Sequence, residues 1–355
     1  MNNYKILLLF LIILNFSCKR QKFQKVILET PDTSNLYTND GESTELYYLK
    51  LIPKNEIKGA IVILPSGGET TEDLIKQISI HKLAFKKGIA TIIPSINWGT
   101  EDRNVEVNIL NTIFNEVVKE HNIPKDNFIL GGLSNGGMIS LVYTQQSVKG
   151  KTFIKPKGVF GLDVPLDKAH LYEYCQREIK RNFSELGVGE AKWILNNYNK
   201  VYGGSPSQFP EKYIESSIYS NGVEKGGNAK YLKDIPIRMY TDLDVNWLLK
   251  ERRRDLYDWN GTDIVAMIND LKLLGNKDAN VIIGYQAAVD AATQSGSVAI
   301  GYRAARYPQG NYNTAIGMQA LQGNSSVTSA YNNTAVGYQA GHDITSGYRN
   351  TLVGF

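Results

Sequence analysis

The chain has 355 residues and a formal net charge of +4, from 39 Lys and Arg against 35 Asp and Glu. That surplus is too small to indicate a nucleic-acid-binding protein, and we expect no nucleic-acid partner. A hydrophobic fraction of 42% excludes a wholly disordered or collagen-like chain, and two cysteines exclude a disulfide-stapled scaffold. No Glu follows Glu251 and no Lys follows Lys277, so two regions of different character are joined in this chain.

The first residues have the features of an export signal. An apolar run from Ile6 to Leu14 is too short to cross a bilayer, which needs about 20 apolar residues, but it suits a signal peptide. Ser17 and then Cys18 follow, and this segment resembles the lipobox of bacterial lipoproteins. The resemblance implies a signal peptide over 1–18, a lipidated Cys18, and an exported protein anchored by lipid to the bacterial cell envelope, in the periplasm or at the surface. A plain signal peptide or an uncleaved anchor is the alternative.

Residues 19–44 predict a polar tether with at most one edge strand, over 26–28. From there to residue 283, apolar runs typical of buried strands alternate with amphipathic segments typical of helices. The predicted strands cover 46–52, 60–64, 89–93, 128–130, 159–162, 235–240 and 281–283. The predicted helices cover 71–87, 104–120, 136–147 and about 261–274. This alternation predicts an α/β domain over 45–283, with a mainly parallel sheet and helices on both faces.

A segment without strand signal, residues 165–230, interrupts this alternation. It is polar and Tyr-rich, and it predicts a helical cap over the ligand-binding edge of the sheet. Four aromatic residues of the cap could line an apolar pocket, although such residues more often serve packing: Tyr172, Tyr174, Trp193 and Tyr198.

The most informative motif is a G-x-S-x-G sequence with Ser134 at its centre, between Gly132 and Gly136. It comes directly after a predicted strand and opens a predicted helix, which is the context of a nucleophile elbow. In such an elbow the serine is strained, and the glycines let neighbouring chains approach. The helix N-terminus then favours negative charge that develops at the hydroxyl. A plain Gly-rich turn is the alternative.

With this motif, residues 45–283 resemble the α/β-hydrolase superfamily. The resemblance implies cleavage of an ester or amide bond in a small-molecule or peptide substrate, through an acyl-Ser134 intermediate. Gly67 and Gly68 follow the strand at 60–64, where the superfamily keeps its oxyanion loop. A backbone N–H from one of them, with that of Asn135, would form the oxyanion hole. We expect no cofactor and no metal.

The same resemblance places the catalytic acid after the strand at 235–240. Asp242 and Asp244 both lie there, and superfamily spacing favours Asp244. Asp163, at the end of the preceding strand, is a weaker third candidate. An Asp at the end of a strand is also often a helix cap, which is the structural alternative for each of them.

The catalytic base is missing from its expected place. In superfamily order a histidine follows the acid, and the chain has four histidines. His81, His121 and His170 precede Asp244, and we interpret them as surface or capping residues. His342 alone follows, within a different kind of sequence. We therefore expect the hydrolase activity of this chain to be impaired.

From residue 281 the chain repeats a short strand followed by glycine, at positions 284, 301, 317, 337 and 354. The intervening loops are rich in Asn, Ser and Gly, and single units bury too little to be stable alone. The units resemble the parallel β-roll heads of trimeric autotransporter adhesins and similar repeats in phage tail fibres. The resemblance implies a β-roll-like segment over 284–355 that could form trimers. A low-complexity tail is the alternative.

The segment 281–283 fits both patterns, as a last sheet strand and as a first repeat strand. Such a shared string is what a natural fusion, a recombination or a mistaken sequence assembly would leave. Because Phe355 stands within a repeat unit, we interpret the reading frame as a fragment. The alternative function is therefore a non-catalytic adhesin-like or fibre-like surface-binding protein, in which the hydrolase part is only a scaffold.

Overall fold

The computed structural model describes residues 22–29, 36–39, 42–98, 104–242, 244–284, 286–288, 296–307, 310–324 and 330–354. The predicted signal peptide and Cys18 lie outside these residues. The described strands are β1 (Gln24–Ile27), β2 (Thr38–Asn39), β3 (Glu42–Ser43), β4 (Tyr47–Leu51), β5 (Gly59–Leu64), β6 (Ile89–Pro94), β7 (Phe128–Leu133), β8 (Gly158–Leu162), β9 (Ile237–Thr241), β10 (Ala279–Ile283), β11 (Val298–Ile300), β12 (Thr314–Ile316), β13 (Thr334–Val336) and β14 (Thr351–Val353).

Twelve of these strands form one sheet, in the order β1-β4-β6-β5-β7-β8-β9-β10-β11-β12-β13-β14. The pairs β1–β4 and β4–β6 are antiparallel, and the other pairs are parallel. The predicted mainly parallel α/β sheet is therefore confirmed, and it is consistent with the α/β-hydrolase fold. After β5, the chain adds β6 on one side of this strand and then β7 on its other side. Ligands of α/β sheets bind at such a switch point, beyond the carboxyl ends of the strands.

The described helices are α1 (Thr71–Gln77), α2 (Ile80–Lys86), α3 (Asn104–His121), α4 (Asn135–Val148), α5 (Lys168–Arg181), α6 (Glu185–Tyr202), α7 (Pro210–Ser216), α8 (Val245–Trp247) and α9 (Asn260–Leu273). Short 3₁₀ or π-helical turns cover Glu224–Leu232, Leu248–Arg252 and Leu256–Asp258. Within the described part of the chain, no helix is both long enough and apolar enough to cross a membrane.

The single helix predicted over 71–87 is wrong. The first helix ends at Gln77, the next residue, Ile78, has an extended backbone (φ −100°, ψ 150°), and the second helix begins after Ser79. A β-branched residue followed by serine favours such a break, because neither is a strong helix former. Within the predicted cap, 165–230, the regular elements are α5, α6, α7 and a 3₁₀ turn, with loops between them.

Two apolar clusters cover the sheet. In one, α3 contributes Leu110, Ile113 and Phe114, which are completely buried, and the Phe114 ring meets that of Tyr143 edge-on at 5.3 Å. In the other, α9 packs Ile264 and other apolar side chains against β9 and β10. Each such side chain stabilises the fold by roughly 1.5–3 kcal/mol. These clusters hold the carboxyl ends of β5 and β7 in a fixed position.

The repeat strands β11–β14 extend the same sheet in parallel, each in register with the last. The middle residue of three of them is a buried alanine, at 299, 315 and 335. Before each strand, a side-chain oxygen accepts the backbone N–H of the equivalent residue in the next unit. Thus Asn313 accepts from Asn333 (3.0 Å), and Asn333 accepts from Asn350 (3.0 Å). This ladder of side-chain hydrogen bonds fixes the register of the units.

Candidate active site

Ser134 lies between β7 and α4 in a strained conformation, with φ 48° and ψ −114°. A non-glycine residue reaches this region only when its surroundings hold it there, at a cost of about 1–3 kcal/mol. The Ser134 N–H donates to the Leu162 carbonyl at 2.8 Å, and the Ser134 carbonyl accepts from the N–H of Met138 at 3.0 Å. The strand-to-helix turn that the motif predicts is therefore present.

The two motif glycines are required by the close approach of β5. A Cβ atom on either Gly132 or Gly136 would overlap the backbone carbonyl of Leu64, the last residue of β5. The loop after Leu64 contains Gly67, which lines the same cavity as Ser134. A side chain at either glycine would therefore displace this loop, the predicted oxyanion loop, relative to Ser134.

The predicted oxyanion donors differ in availability. Asn135 is the first residue of α4, where a backbone N–H has no partner within the helix. Its side chain is held by donation from Nδ2 to the Trp98 carbonyl at 3.1 Å. The N–H of Gly68 donates to the Asn97 carbonyl at 3.0 Å, and Gly68 does not line the cavity. Gly67 and Asn135 are therefore the better placed pair of candidates.

All three acid candidates line the cavity together with Ser134. Asp244 is exposed, and its carboxylate accepts the N–H of Trp247 at 2.9 Å, as a cap on α8. Asp242 is also exposed. Asp163 is half-buried and accepts from the Thr241 hydroxyl at 2.9 Å, and burial raises the pKa of its carboxyl. The helix-cap alternative thus applies to Asp244, and Asp163 is the most enclosed of the three carboxylates.

No histidine is found among the described residues that line the cavity. His342 follows β13, which lies six strand positions from β7 in the sheet. At the usual strand spacing this is about 29 Å, far beyond the reach of a proton transfer. Its Nδ1 is 2.6 Å from the carboxylate of Asp343.

The interpretation of His170 as a surface or capping residue is wrong. Its side chain is 15% exposed, and its Nδ1 is 2.8 Å from the carboxylate of Asp263 on α9. This hydrogen bond raises the pKa of the imidazole above its ordinary value. The pair lies behind the cavity wall, in a crevice that shares Leu171 and Trp259 with the cavity. Nothing local in the sequence indicates this pair, because its members are 93 positions apart.

The cavity beside Ser134 has a volume of about 470 Å³. Of the four cap aromatics considered from the sequence, Tyr174, Trp193 and Tyr198 line it. Tyr172 instead packs edge-on against Tyr213 at 5.8 Å, inside the cap. Within the described residues, no group of His, Cys, Asp or Glu side chains is arranged to hold a metal ion.

No protein-family model and no curated protein matches the sequence. Among solved structures, the chain is similar to acylaminoacyl peptidase of Pyrococcus horikoshii, with a TM-score of 0.47 and 16% identity over 74% of this chain. It spans 37% of that peptidase. It is also similar to carboxyl esterase 2 of Tuber melanosporum, with a TM-score of 0.46 and 16% identity over 76% of this chain and 79% of the esterase. A third similar structure is S-formylglutathione hydrolase of Staphylococcus aureus, with a TM-score of 0.42 and 13% identity. The match covers 74% of this chain and 90% of the hydrolase.

Proposed function

We propose that residues 45–283 form a serine hydrolase of the α/β type that cleaves an ester or amide bond. The observation that carries this proposal is the strained Ser134, held at φ 48° between two glycines that admit no side chain. Strain of this kind in a non-glycine residue is typical of functional sites. The cavity of about 470 Å³ beside it has the size of a small-molecule or peptide side-chain site.

In the proposed reaction, the Ser134 oxygen attacks the substrate carbonyl and forms an acyl-Ser134 ester as the alcohol or amine leaves. The N–H groups of Gly67 and Asn135 would stabilise the negative charge on the carbonyl oxygen. Water then releases the acid. The serine proton needs an acceptor, and none of the described residues lining the cavity is an imidazole. We therefore propose that turnover is impaired, with about 10³–10⁴-fold catalysis over water left to the oxyanion hole and binding.

Labelling with a fluorophosphonate tests the proposal directly, because this probe reacts with an activated serine. We expect slow labelling of the full chain and none of the Ser134→Ala variant. Turnover of p-nitrophenyl acetate should be low, and it should not fall further in His342→Ala. Equal labelling of wild type and Ser134→Ala would contradict the proposal. Robust turnover lost in His342→Ala would identify that residue as a base and overturn the proposed impairment.

We propose in addition that the protein is exported and anchored to the bacterial envelope through lipidated Cys18. The apolar run at 6–14 followed by Cys18 supports this. Several acyl chains anchor a protein stably, whereas one binds a membrane only marginally. Replacing Cys18 with Ser should move the protein from the membrane fraction to the soluble fraction, and unchanged fractionation would contradict the anchor.

A second candidate function is an adhesin-like or fibre-like binding protein, in which the repeats form a β-roll-like trimer. The side-chain hydrogen-bond ladder through Asn313 and Asn333 favours it, because such a ladder suits an array of stacked units. Sedimentation of the full chain tests it. A trimer that survives Ser134→Ala and dissociates when 284–355 is disrupted would support this assembly, and a monomer would exclude it.

A further inference from the structure

The chain contains four tryptophans, and all four line the cavity beside Ser134. They come from four separate segments: Trp98 follows β6, Trp193 is on α6, Trp247 ends α8 and Trp259 precedes α9. Trp193 and Trp247 are 50% and 45% exposed, which is unusual for side chains of this size. Exposed rings gathered at one cavity are available to a ligand.

Two of these rings stand next to the reacting serine. A Cβ atom on Gly67 would lie 3.5 Å from the Trp98 ring, so this ring rests on the oxyanion loop. Trp98 also accepts the side-chain hydrogen bond of Asn135, the residue after the nucleophile. The Trp98 and Trp193 rings are paired, with centroids 5.0 Å apart at 51°. A group attached to the scissile carbonyl would therefore reach this tryptophan pair.

Three carboxylates at the cavity have no cationic partner among the ion pairs of the described residues. Glu190 precedes Trp193 by three positions on α6, so both side chains lie on one face of the helix. Asp242 and Asp244, from the loop after β9, line the same cavity, and both are exposed. No described ion pair involves these three carboxylates, so they give the cavity a negative potential.

The arginines near the cavity are neutralised by other carboxylates. Arg254 lines the cavity, but its Nε is 3.1 Å from the buried carboxylate of Glu178. Arg177 and Arg181 each lie 2.7 Å from the carboxylate of Asp258. Glu173 also lies 3.5 Å from Arg177, so these three arginines face three carboxylates. Arg252, beside the Trp247 ring, is one further cation against the three unpaired carboxylates, which therefore dominate the field in the cavity.

We infer that the substrate carries an organic cation, of the substituted-ammonium class, that binds on the Trp98–Trp193 pair and faces Glu190. Aromatic faces attract cations through the ring quadrupole, and the carboxylates add Coulomb attraction. Two rings of this cavity already hold cations of the chain itself: the Arg254 guanidinium lies 4.4 Å from the Tyr174 centroid, and that of Arg252 lies 5.2 Å from the Trp247 centroid. The inference names the substrate class of the proposed hydrolase and rests on that function for the cleaved bond only, because binding needs no catalysis.

Intrinsic tryptophan fluorescence of the full chain tests the inference, since every tryptophan lines the cavity. The probes are choline, its neutral isostere 3,3-dimethyl-1-butanol and the anion 3,3-dimethylbutyrate, titrated into the Ser134→Ala variant. We expect choline to bind about tenfold more tightly than the neutral isostere and the anion to bind most weakly. Equal affinities, or a preference for the anion, would overturn the inference.

Glu190→Gln keeps the shape of the side chain and removes its charge. It should weaken choline binding about two- to fivefold and leave the binding of the neutral alcohol unchanged. Glu185→Gln is the matched control, because it removes a carboxylate from the same helix at a position that does not line the cavity. An equal effect of both variants would contradict a local role for Glu190. Failed fluorophosphonate labelling together with a preference for choline would overturn the hydrolase proposal alone.

Discussion

At the scale of single residues, the geometry of the site depends on three positions. One has an unusual backbone conformation, and the other two leave no room for a side chain. Ser134 occupies a left-handed conformation that a side chain normally avoids, and Gly132 and Gly136 sit against the end of β5. Two main-chain hydrogen bonds stabilise this conformation: the Ser134 N–H donates to the Leu162 carbonyl, and the Met138 N–H donates to the Ser134 carbonyl. The orientation of Ser134 therefore depends on contacts that involve three separate elements.

Gly136→Ala should destabilise the protein by about 1–3 kcal/mol, because its Cβ overlaps the Leu64 carbonyl. Gly189→Ala is the matched control. It lies within α6 with no heavy atom within 4 Å of the added Cβ, so we expect stabilisation by about 0.5–1 kcal/mol. Urea unfolding monitored by circular dichroism measures both. Equal unfolding midpoints for the two variants would contradict the proposed close contact.

The His170–Asp263 pair predicts a pH-dependent contribution to stability. The folded-state pKa of His170 is raised, first by the hydrogen bond that its imidazole makes to the Asp263 carboxylate. A raised pKa means that the stabilisation is fully present below the unfolded-state pKa of about 6.5 and is lost as the pH rises through the folded-state value. The loss of unfolding free energy in His170→Asn should therefore be largest near pH 5 and shrink toward pH 9.

His81 should contribute a pH dependence of stability with the opposite sign. Burial lowers its pKa, so protonation favours the unfolded state, and the wild type should lose stability relative to His81→Gln as the pH falls through 6.5. Urea unfolding at several pH values distinguishes the two histidines. A cost of His170→Asn that does not change between pH 5 and pH 9 would contradict the charged pair.

At the scale of elements, each repeat strand is too short to be stable through its backbone hydrogen bonds alone. Buried asparagines add side-chain hydrogen bonds that stabilise the pairing of these strands. Asn313 and Asn333 are completely buried. The Asn333 oxygen accepts from the Asn350 N–H, and its Nδ2 donates to the Gly347 carbonyl at 3.1 Å. Each strand therefore gains side-chain hydrogen bonds that a three-residue ladder cannot provide by itself.

Asn333→Ala should leave these polar groups without partners, at a cost of about 1–3 kcal/mol for each buried group. We expect faster hydrogen exchange in β13 and β14 and unchanged exchange in β5–β9. Thr351→Ala is the matched control, because this residue is exposed on β14 and no described hydrogen bond involves its side chain. Equal exchange in β13 for the two variants would show that the buried amide does not set the register.

At the scale of the whole molecule, one face of the sheet is open over β7–β9. Strand register places Ile129, Phe160, Leu162 and Tyr240 on this face. Ile129 and Leu162 are 43% and 37% exposed, although their strands are central. Among the described helices, α2 lines this patch only through Ile80. β10 continues directly into the repeats, where an α/β sheet would ordinarily be followed by another covering helix.

We expect the native protein to bind the apolar dye ANS at this face, since exposed patches of this kind are rare in soluble monomers. Ile129→Thr should reduce dye fluorescence and change the free energy of unfolding by about 0.5 kcal/mol or less. The matched control Ile92→Thr, at a completely buried position of β6, should cost more than 1 kcal/mol. Dye binding that is equal in wild type and Ile129→Thr would contradict the assignment of the patch.

The join between sheet and repeats is continuous in space. Val281, Ile282 and Ile283 pair with β9 on one side and with β11 on the other. A single strand thus satisfies both patterns, which is why the sequence alone leaves a natural fusion and an assembly error as alternatives. Long-read sequencing of source DNA across codons 275–295 separates them.

The features that the sequence determined are those encoded within a few neighbouring residues. The elbow at Ser134, the buried parallel strands and the repeat period all follow from local turn chemistry or from hydrophobic periodicity. The sequence pattern does not reveal the break at Ile78, because two short helices with a continuous apolar pattern have the same periodicity as one long helix. The tertiary structure alone decided which distant side chains meet. It gathered four tryptophans spread from residue 98 to 259, paired His170 with Asp263, and enclosed Asp163 more deeply than Asp244. These outcomes depend on how helices and strands pack across the sheet, and no local pattern encodes such long-range contacts.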